Sequence, residues 1–289
     1  MEFSVDIAEA TIAAVNILFS ITSSLGNILI LIALRKVTSL HPPTKLLFQC
    51  LAITDLGVGL TSQPLFATVL LIDYNINWSS VTVILYNYLS IIFCGVSMLI
   101  STALSVDRLL ALLLGLRYRH VVTMKRVRIA VACCWLTALV TALVIFLARG
   151  KIFPRIVIIS IMLFLMSISL FSYTKIVLKL RQHQTSVQEN VHQGVAKAGR
   201  VPINLEQYKR TVVSIALVQI ALVACYVPFL IILILRQLDS IANYVFSGLL
   251  STTLLYLNSS LNHFLYCWRI KEVRQEVLGT IKRFCSCPS

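Results

Sequence analysis

The sequence STALSVDRLLALLLGLRYRHVVTMKRVR, at residues 101–128, places an acid and an arginine near the end of a long apolar segment. The apolar segment continues without a break into Asp107 and Arg108, and a basic segment follows. A charged side chain at the centre of a bilayer costs about 2.5–3.5 kcal/mol on insertion scales. We therefore expect this pair either to lie at the edge of a membrane or to be held together inside a helix bundle.

The composition of the whole chain predicts a membrane protein. Of its 289 residues, 58% are hydrophobic and only 12% are charged, and the mean hydropathy is +0.88. Soluble domains carry about 25% charged residues, so this chain has too few charges to cover a water-facing surface. Apolar runs of about 20 residues recur along the chain, which is the length that an α-helix needs to cross a bilayer.

These runs predict an all-α membrane protein, a seven-transmembrane helix bundle with an amphipathic eighth helix, in one domain at residues 1–284. The spans are predicted at about 8–34, 45–72, 79–114, 127–148, 152–180, 207–235 and 241–267. The eighth helix is predicted at 269–283, with residues 285–289 as a short cytosolic tail. The polar residues 181–206 predict a flexible loop between spans five and six.

The basic residues predict the orientation of the bundle. Of the 25 lysines and arginines, 21 fall on the side that carries Arg108, and only Arg149, Lys151, Arg155 and Arg236 fall on the other. Because basic loops stay in the cytosol, we expect an extracellular N-terminus and a cytosolic C-terminus at the plasma membrane. The net charge of +14 is then explained by topology, anionic membrane lipids and cytosolic partners, and nucleic acid is not an expected partner.

Cysteines and one sequon complete the topological predictions. None of the eight cysteines falls in a predicted outer loop, so no extracellular disulfide is expected. Cys285 and Cys287 follow the predicted eighth helix and are candidate palmitoylation sites, with a pair of reduced surface thiols as the alternative. Asn77 begins the sequon Asn-Trp-Ser in a predicted outer loop and is a candidate glycosylation site.

Polar side chains inside the spans predict a site near the middle of the bundle. Asp55 lies mid-way along span two, and the other candidates are Asn27, Ser97, Asn258 and Asn262. Together they would surround one carboxylate with oxygen atoms, which are the ligands that hard cations such as sodium prefer. The alternative is a hydrogen-bonded polar cluster with water and a protonated Asp55. Pro64 and Pro228 also lie inside spans, where a proline removes a backbone hydrogen bond and tends to bend the helix.

The motifs resemble those of the rhodopsin-like (class A) G-protein-coupled receptors over residues 12–284. The matching segments are Gly26-Asn27, Leu51-Ala52 with Asp55, Asp107-Arg108-Leu109, Leu116-Arg117-Tyr118, Trp135, Tyr173, Cys225-Tyr226-Val227-Pro228 and Asn262-His263-Phe264-Leu265-Tyr266. The sequence departs from the family pattern at Leu109, Tyr226 and His263. The absence of an outer disulfide, the short outer loop and the absence of a central proline in span five are similar to the melanocortin branch.

The resemblance implies a cytosolic switch and a heterotrimeric G protein as partner. Its residues would be Asp107, Arg108, Tyr173 and Tyr266. At rest Arg108 would be held by Asp107, and on activation it would leave Asp107 while the two tyrosines turn inward. The chain would then convert the binding of an extracellular ligand into G-protein activation.

The predicted ligand pocket is apolar and carries a few hydroxyl groups. On span three its wall is expected at Asn87, Ser90, Ile91 and Cys94, which helical spacing places on one face. Further walls are expected at Val157, Ile161, Tyr226, Phe229, Leu230, Leu233, Thr252 and Tyr256. This lining predicts a small neutral, lipid-like or peptide ligand, because no charged anchor faces the pocket.

Two other classes of protein fit the sequence less well than a receptor does. A seven-span transporter or scramblase is the alternative, but a proton-coupled carrier needs several carboxylates at mid-membrane and only Asp55 is placed there. An enzyme is not expected, because no catalytic triad or metal-ligand spacing is present. Sodium at Asp55 is the one cofactor that the sequence suggests.

Overall fold

The computed structural model describes residues 2–72, 81–148, 152–192, 205–238 and 245–285. All regular structure in these residues is helical, so the predicted all-α fold is confirmed. The α-helices are α1 (Glu2–Lys36), α2 (Pro42–Gly57), α3 (Gln63–Ile72), α4 (Val81–Leu114), α5 (Tyr118–Val121), α6 (Met124–Leu147), α7 (Phe153–His192), α8 (Leu205–Leu238), α9 (Val245–Arg269) and α10 (Lys271–Cys285).

Five of the described helices are long and apolar enough to cross a membrane. They lie within α1, α4, α6, α7 and α8. Large apolar side chains cover the outside of these helices, as on α6, where Leu136, Leu143 and Leu147 are 62%, 54% and 72% exposed. Because such a surface is unfavourable in water, these faces are suited to lipid. The two remaining predicted spans correspond to α9, which carries many polar residues, and to the segment of α2 and α3.

A π-helical turn at Val58–Ser62 divides α2 from α3, so predicted span two is not one regular helix. Pro64 follows this turn, and a proline inside a helix clashes with the carbonyl group four residues earlier. The wider turn accommodates the ring and leaves carbonyl groups available to other donors. The Ser20 hydroxyl of α1 donates to one of them, the Gly59 carbonyl oxygen, at 2.7 Å.

The end of α4 is set by a glycine. Gly115 has a φ of +51°, which a residue with a side chain rarely adopts, and a 3₁₀ turn at Gly115–Arg117 leads from it into α5. Thr123 then caps α6 by accepting from the Arg126 backbone N–H at 3.5 Å. These turns bring Tyr118 back to the Arg108 end of the bundle.

The predicted loop at 181–206 is wrong for much of its length. The structure continues α7 to His192 and begins α8 at Leu205, and residues 193–204 lie outside the described part of the chain. Hydropathy marks only the part of a helix that fits a bilayer. The residues after Leu180 are polar, but Arg, Gln and Glu are good helix formers, so the helix continues past the apolar segment.

The amphipathic helix α10 packs across the Arg108 end of the bundle. Its Val273 and Val277 join an apolar cluster with α1, α2, α4 and α9. Glu276 on its outer face forms an ion pair with Lys36 of α1, at 3.6 Å between Nζ and Oε2. Both partners are 41% exposed, so apolar burial contributes more than this pair to the position of α10.

A glycine lets α1 approach α9 closely. A Cβ atom built on Gly26 would lie within 2.3 Å of the His263 imidazole ring, so the ring occupies the space that a side chain would need. His263 is buried, and α9 is helical throughout at the position where the family pattern has a proline. The missing side chain at Gly26 and the imidazole ring of His263 therefore fit each other sterically.

Candidate functional site

The Asp55 carboxyl group is fully buried and is held from two sides. The Ser97 hydroxyl of α4 donates to Oδ1 at 2.9 Å, and the Asn262 side-chain amide of α9 donates to Oδ2 at 2.8 Å. The Ser23 hydroxyl of α1 donates to the Asp55 backbone carbonyl oxygen at 3.1 Å. Asp55 therefore joins four segments of the bundle at one point, which accounts for the burial of an acidic residue.

Two residues predicted to surround Asp55 do not contact its carboxyl group. Asn27 donates instead to the backbone carbonyl oxygens of Ser23 and Ser259, at 2.8 and 3.3 Å, and so ties α1 to α9. Asn258 lines a cavity beside Arg108. Helical spacing correctly predicted which face of its helix carries each residue. It did not show how far along the helix axis each residue lies from Asp55.

The residues around Asp55 fit a sodium ion in part. A bound cation would have the Asp55 carboxylate and the Ser97 hydroxyl oxygen as ligands from the chain. The Asn262 amide now presents its N–H to Asp55, and only its other rotamer would present oxygen to a cation. In the part of the chain that the structure describes, no group of three or more His, Cys, Asp or Glu residues is placed to hold a metal ion.

Asp107 is held by neutral hydroxyl groups rather than by Arg108. The Tyr118 hydroxyl donates to Oδ1 at 2.6 Å, and the Thr44 hydroxyl donates to Oδ2 at 3.0 Å. Asp107 is only 4% exposed, so these bonds replace water. Among the described residues no ion pair joins Asp107 to Arg108, and the predicted pairing at rest is wrong for this packing of the helices.

Arg108 turns instead toward a cavity of about 50 Å³, here called the Arg108 cavity. Its guanidinium lies over the Phe48 ring at 5.6 Å from the centroid, a distance at which a cation is attracted to an aromatic face. The Nε atom is buried without a hydrogen-bond partner. The cavity is lined by Phe48, Leu51, Ser101, Leu104, Ser105, Arg108, Tyr173, Ile176, Gln219, Leu222, Asn258, Asn262 and Tyr266. The structure thus gathers three of the four predicted switch residues around one space.

A polar connection beside this cavity was not predicted from the sequence. The Ser169 hydroxyl of α7 donates to Gln219 Oε1 of α8 at 2.9 Å, and the hydroxyl oxygens of Ser169 and Ser105 lie 3.3 Å apart. Ser169 and Gln219 are both buried. This group, here called the Ser169 bridge, joins α4, α7 and α8 next to Arg108. A glutamine within an apolar span was its one visible signal.

A second cavity of about 150 Å³, here called the Tyr226 cavity, lies farther along the same helices. Seven residues of the predicted pocket line it: Ser90, Ile91, Cys94, Ile161, Tyr226, Phe229 and Leu233. The structure adds Gly95, Met98, Leu99, Thr137, Ala138, Thr141, Ile158, Met162, Leu165 and Leu255. Because of these residues, the observed cavity lies closer to α6 and α7 than the predicted pocket does.

The remaining predicted wall residues, Asn87, Val157, Leu230, Thr252 and Tyr256, do not line this cavity. Tyr256 is fully buried, and its hydroxyl oxygen lies 2.6 Å from that of Ser90. Its ring meets Phe66 edge-on at 5.7 Å, and Phe66 stacks on Tyr86 at 5.4 Å. Aromatic side chains therefore fill the space between α3, α4 and α9 in which a ligand was expected.

A comparison with known families decides the class of protein. The sequence model of the seven-transmembrane receptors of the rhodopsin family matches residues 26–266, which is most of the chain and includes both cavities. The chain belongs to the rhodopsin family of receptors. The resemblance drawn from its motifs is confirmed at this level, and the family consists of receptors and not of enzymes.

The receptor is similar to adenosine receptors of two mammals. It is 32% identical to the bovine (Bos taurus) adenosine receptor A3 over 140 residues, which is 48% of this chain and 43% of the relative. It is 30% identical to the dog (Canis lupus familiaris) adenosine receptor A3 over 137 residues, which is 47% of this chain and 43% of the relative. The matched part spans less than half of these relatives, and the similarity to the melanocortin branch stays a prediction.

Three predicted modification sites of the receptor fall at the limits of the described residues. Asn77 and Cys287 lie outside them, and only the backbone of Cys285 is described, as the last residue of α10. The six cysteines whose side chains are described, Cys50, Cys94, Cys133, Cys134, Cys225 and Cys267, are free thiols.

Proposed function

We propose that this receptor converts the binding of a small uncharged ligand in the Tyr226 cavity into activation of a heterotrimeric G protein at its Arg108 end. The observation that carries the proposal is a single face of α8 that lines both cavities. Gln219 and Leu222 line the Arg108 cavity, and Tyr226, Phe229 and Leu233 line the Tyr226 cavity. Successive residues in this set are three or four positions apart, so all five lie along one face of the helix. A rotation or swing of α8 changes both cavities together.

The orientation of the receptor follows from its charge. The Arg108 end carries the basic segments before α2, after α4 and along α10, and basic segments remain in the cytosol. We infer an extracellular N-terminus, a cytosolic C-terminus and residence in the plasma membrane. The G protein then meets the Arg108 cavity from the cytosol.

The Asp55 cluster supplies the connection between the cavities. Ser97 donates to Asp55 and lies beside the Tyr226 hydroxyl, while Asn262 donates to Asp55 and lines the Arg108 cavity. Pro228 lies two residues beyond Tyr226 in α8, where the missing backbone hydrogen bond makes the helix easier to bend. A ligand that contacts Tyr226 differently in two packings of α8 shifts the equilibrium between them.

Sodium favours one of these packings in the proposed mechanism. An ion held by the Asp55 carboxylate and the Ser97 hydroxyl adds a positive charge where α2, α4 and α9 meet. A ligand or ion shifts a two-state equilibrium only by its difference in affinity for the two states. We assign sodium to the packing described here, because it keeps Ser97 and Asp55 together.

The chemistry of the ligand is inferred from the walls of the Tyr226 cavity. The relatives are named for adenosine, which carries several hydrogen-bond donors and acceptors. The described lining offers a nucleoside only the hydroxyls of Ser90, Thr137, Thr141 and Tyr226 as oxygen partners. Because unpaired polar groups are costly to bury, an uncharged and mainly apolar ligand fits this cavity better than adenosine does.

Nucleotide exchange in nanodiscs tests the proposal. The purified receptor is mixed with heterotrimeric G proteins of several classes and a labelled GTP analogue, with adenosine and neutral lipids as separate additions. We expect exchange above that of empty nanodiscs with at least one G protein, and a further rise with a neutral lipid. If no G protein responds while the same receptor in liposomes moves solute or lipid across the bilayer, the alternative of a transporter or scramblase replaces this proposal.

A further inference from the structure

The Tyr226 cavity reaches the outside of the bundle through its side wall. Thr137 of α6 lines the cavity and is also exposed on the outer surface of the bundle. Thr137 is close to the middle of α6, which is about 36 Å long at 1.5 Å per residue. A bilayer has a hydrocarbon core of about 30 Å, so this opening lies at the depth of the lipid chains.

Among the described residues, aromatic side chains pack against the α9 side of the cavity. Tyr256 is fully buried, its hydroxyl is paired with Ser90, and Phe66 and Tyr86 pack beside it. A molecule that approached between α3 and α9 would have to displace these aromatic rings. The side wall at Thr137 is lined instead by small residues, including Gly95 and Ala138.

The small residues leave a groove between α4 and α6. A Cβ atom built on Gly95 would meet only one atom within 4 Å, the Ala138 Cβ at 3.7 Å, which is ordinary contact. The space beside Gly95 is therefore open rather than filled by neighbouring atoms. Larger side chains at 95 or 138 would close the route into the cavity.

The lining selects an occupant without charge. No acidic or basic residue is among the described residues of the wall, and a charge buried there without a partner would be costly. The Thr137 and Thr141 hydroxyls already donate to backbone carbonyl oxygens of their own helix, at 2.8 Å each. Dry apolar cavities of roughly 150 Å³ bind molecules of about the size of benzene, so the space suits the end of a hydrocarbon chain.

We propose that an uncharged single-chain lipid enters the Tyr226 cavity from the bilayer between α4 and α6 and places the end of its hydrocarbon chain there. The uncharged head group and the rest of the chain stay at the opening, at the depth of the lipid chains, where an ionised group would also be costly. This inference rests on the proposed function, because it names the class of ligand and its route for the same cavity.

Photo-crosslinking in nanodiscs tests this route. The probe is a monoacylglycerol with a diazirine near the end of its acyl chain, and labelled peptides are mapped by mass spectrometry. We expect saturable labelling of Met98 on α4 and Met162 on α7, removed by unlabelled monoacylglycerol and not by a fatty acid with an ionised carboxylate. Labelling that does not saturate, or that falls mainly on outward residues such as Phe164, would overturn the proposal.

Two pairs of variants sharpen the test. Gly95→Phe should reduce labelling at the cavity by roughly tenfold, because the ring would fill the open space beside residue 95, whereas the single methyl group of Gly95→Ala should leave it unchanged. Thr137→Trp should close the opening, and the fold should tolerate it because residue 137 is exposed on the outer surface of α6. Leu136→Trp, at the neighbouring exposed position, is its control. Equal labelling in Thr137→Trp and Leu136→Trp would contradict entry at Thr137, even if Gly95→Phe does not fold.

Nucleotide exchange measured in the same nanodiscs separates this inference from the proposed function. Exchange on a G protein without saturable labelling of the cavity overturns the lipid route and leaves the receptor function standing. Labelling of the cavity without exchange on any G protein supports the lipid route and overturns the receptor function.

Discussion

The Arg108 cavity and the Tyr226 cavity follow one another along the same face of α8, yet they are built from different chemistry. The first is lined by Arg108, Gln219, Asn258 and Asn262, and its neighbours form specific hydrogen bonds. The second is about three times larger and mainly apolar. The region around the Arg108 cavity, here called the Arg108 half, therefore depends on particular pairs of side chains. The region around the Tyr226 cavity, here called the Tyr226 half, depends on space that side chains leave unfilled. Substitutions in the two halves should therefore differ in their effects.

The largest expected effect comes from adding one methyl group in the Arg108 half. Gly26→Ala places a Cβ atom in the space that the His263 ring occupies, so the ring or one of the two helices must shift. Overpacking of this kind costs about 1–3 kcal/mol, or more where backbone must move. We expect a sharp loss of folded receptor, measured as thermal stability in detergent. Gly95→Ala adds the same methyl group in the Tyr226 half, where it meets only Ala138 at 3.7 Å, and should have no effect.

A second-site change identifies the cause of this loss. His263→Ala removes the ring that Gly26→Ala would meet, so the double variant should be more stable than Gly26→Ala alone. If the double variant is as unstable as Gly26→Ala, the close approach of α1 to α9 does not depend on the glycine and histidine pair.

The next largest effect is expected from the Ser169 bridge. Ser169→Ala removes the hydrogen bond that joins α7 to α8 and also the contact with Ser105. A buried hydrogen bond contributes about 1 kcal/mol, so basal nucleotide exchange should rise about fivefold as α8 is released. Ser167→Ala is the control, because Ser167 is exposed and its hydroxyl bonds only to the Leu163 carbonyl oxygen of its own helix. A basal rate that falls or stays constant in Ser169→Ala would contradict a restraining role.

Much of this architecture could be predicted from the sequence, and the exceptions have physical reasons. Apolar length gave the spans, and a charge inside an apolar span is rare enough to single out Asp55 and Arg108. The continuation of α7 to His192 was missed, because hydropathy marks the part of a helix that crosses the membrane and not the residue at which the helix ends. Single serines in apolar helices usually bond to their own backbone, so Ser169 carried no separate signal.

The ligand side was predicted less completely than the switch side. The expected pocket faced α9, but aromatic packing around Tyr256 fills that space and the cavity lies toward α6. The same apolar residue types line pockets and pack helices against each other. Helical spacing can therefore predict which face of a helix points inward, but not whether a cavity remains beside that face. The partners of Asp107 were also missed, because Thr44 comes from a distant segment and Tyr118 reaches Asp107 only through the turn at Gly115.

Sodium should distinguish the two halves in a further way. Asp55→Asn removes the negative charge that a cation needs while keeping the shape of the side chain. We expect sodium, compared with potassium at the same ionic strength, to lower basal exchange of the wild-type receptor and to have no effect on Asp55→Asn. If the wild-type rate is the same in both salts, Asp55 is a structural hydrogen-bond acceptor and no sodium site is present.

The smallest effect is expected at Asp107, although it neighbours Arg108. Asp107→Asn keeps an oxygen that accepts from Tyr118, and it removes no ion pair with Arg108. Basal exchange per folded receptor should therefore stay within about twofold of wild type, which corresponds to less than half of one hydrogen bond. A large rise in basal exchange would show that Asp107 restrains Arg108 in solution.

Nucleotide exchange by Arg108→Ala tests the central claim most directly. Arg108 lies over Phe48 at the mouth of a cavity that Tyr173 and Tyr266 also line, and we assign the activation of the G protein to this group. Wild-type and Arg108→Ala receptors are compared in nanodiscs at equal amounts of folded protein, with a G protein on which the wild type is active. The account predicts that exchange falls to the level of empty nanodiscs in Arg108→Ala. Exchange at the wild-type rate in that variant would contradict it.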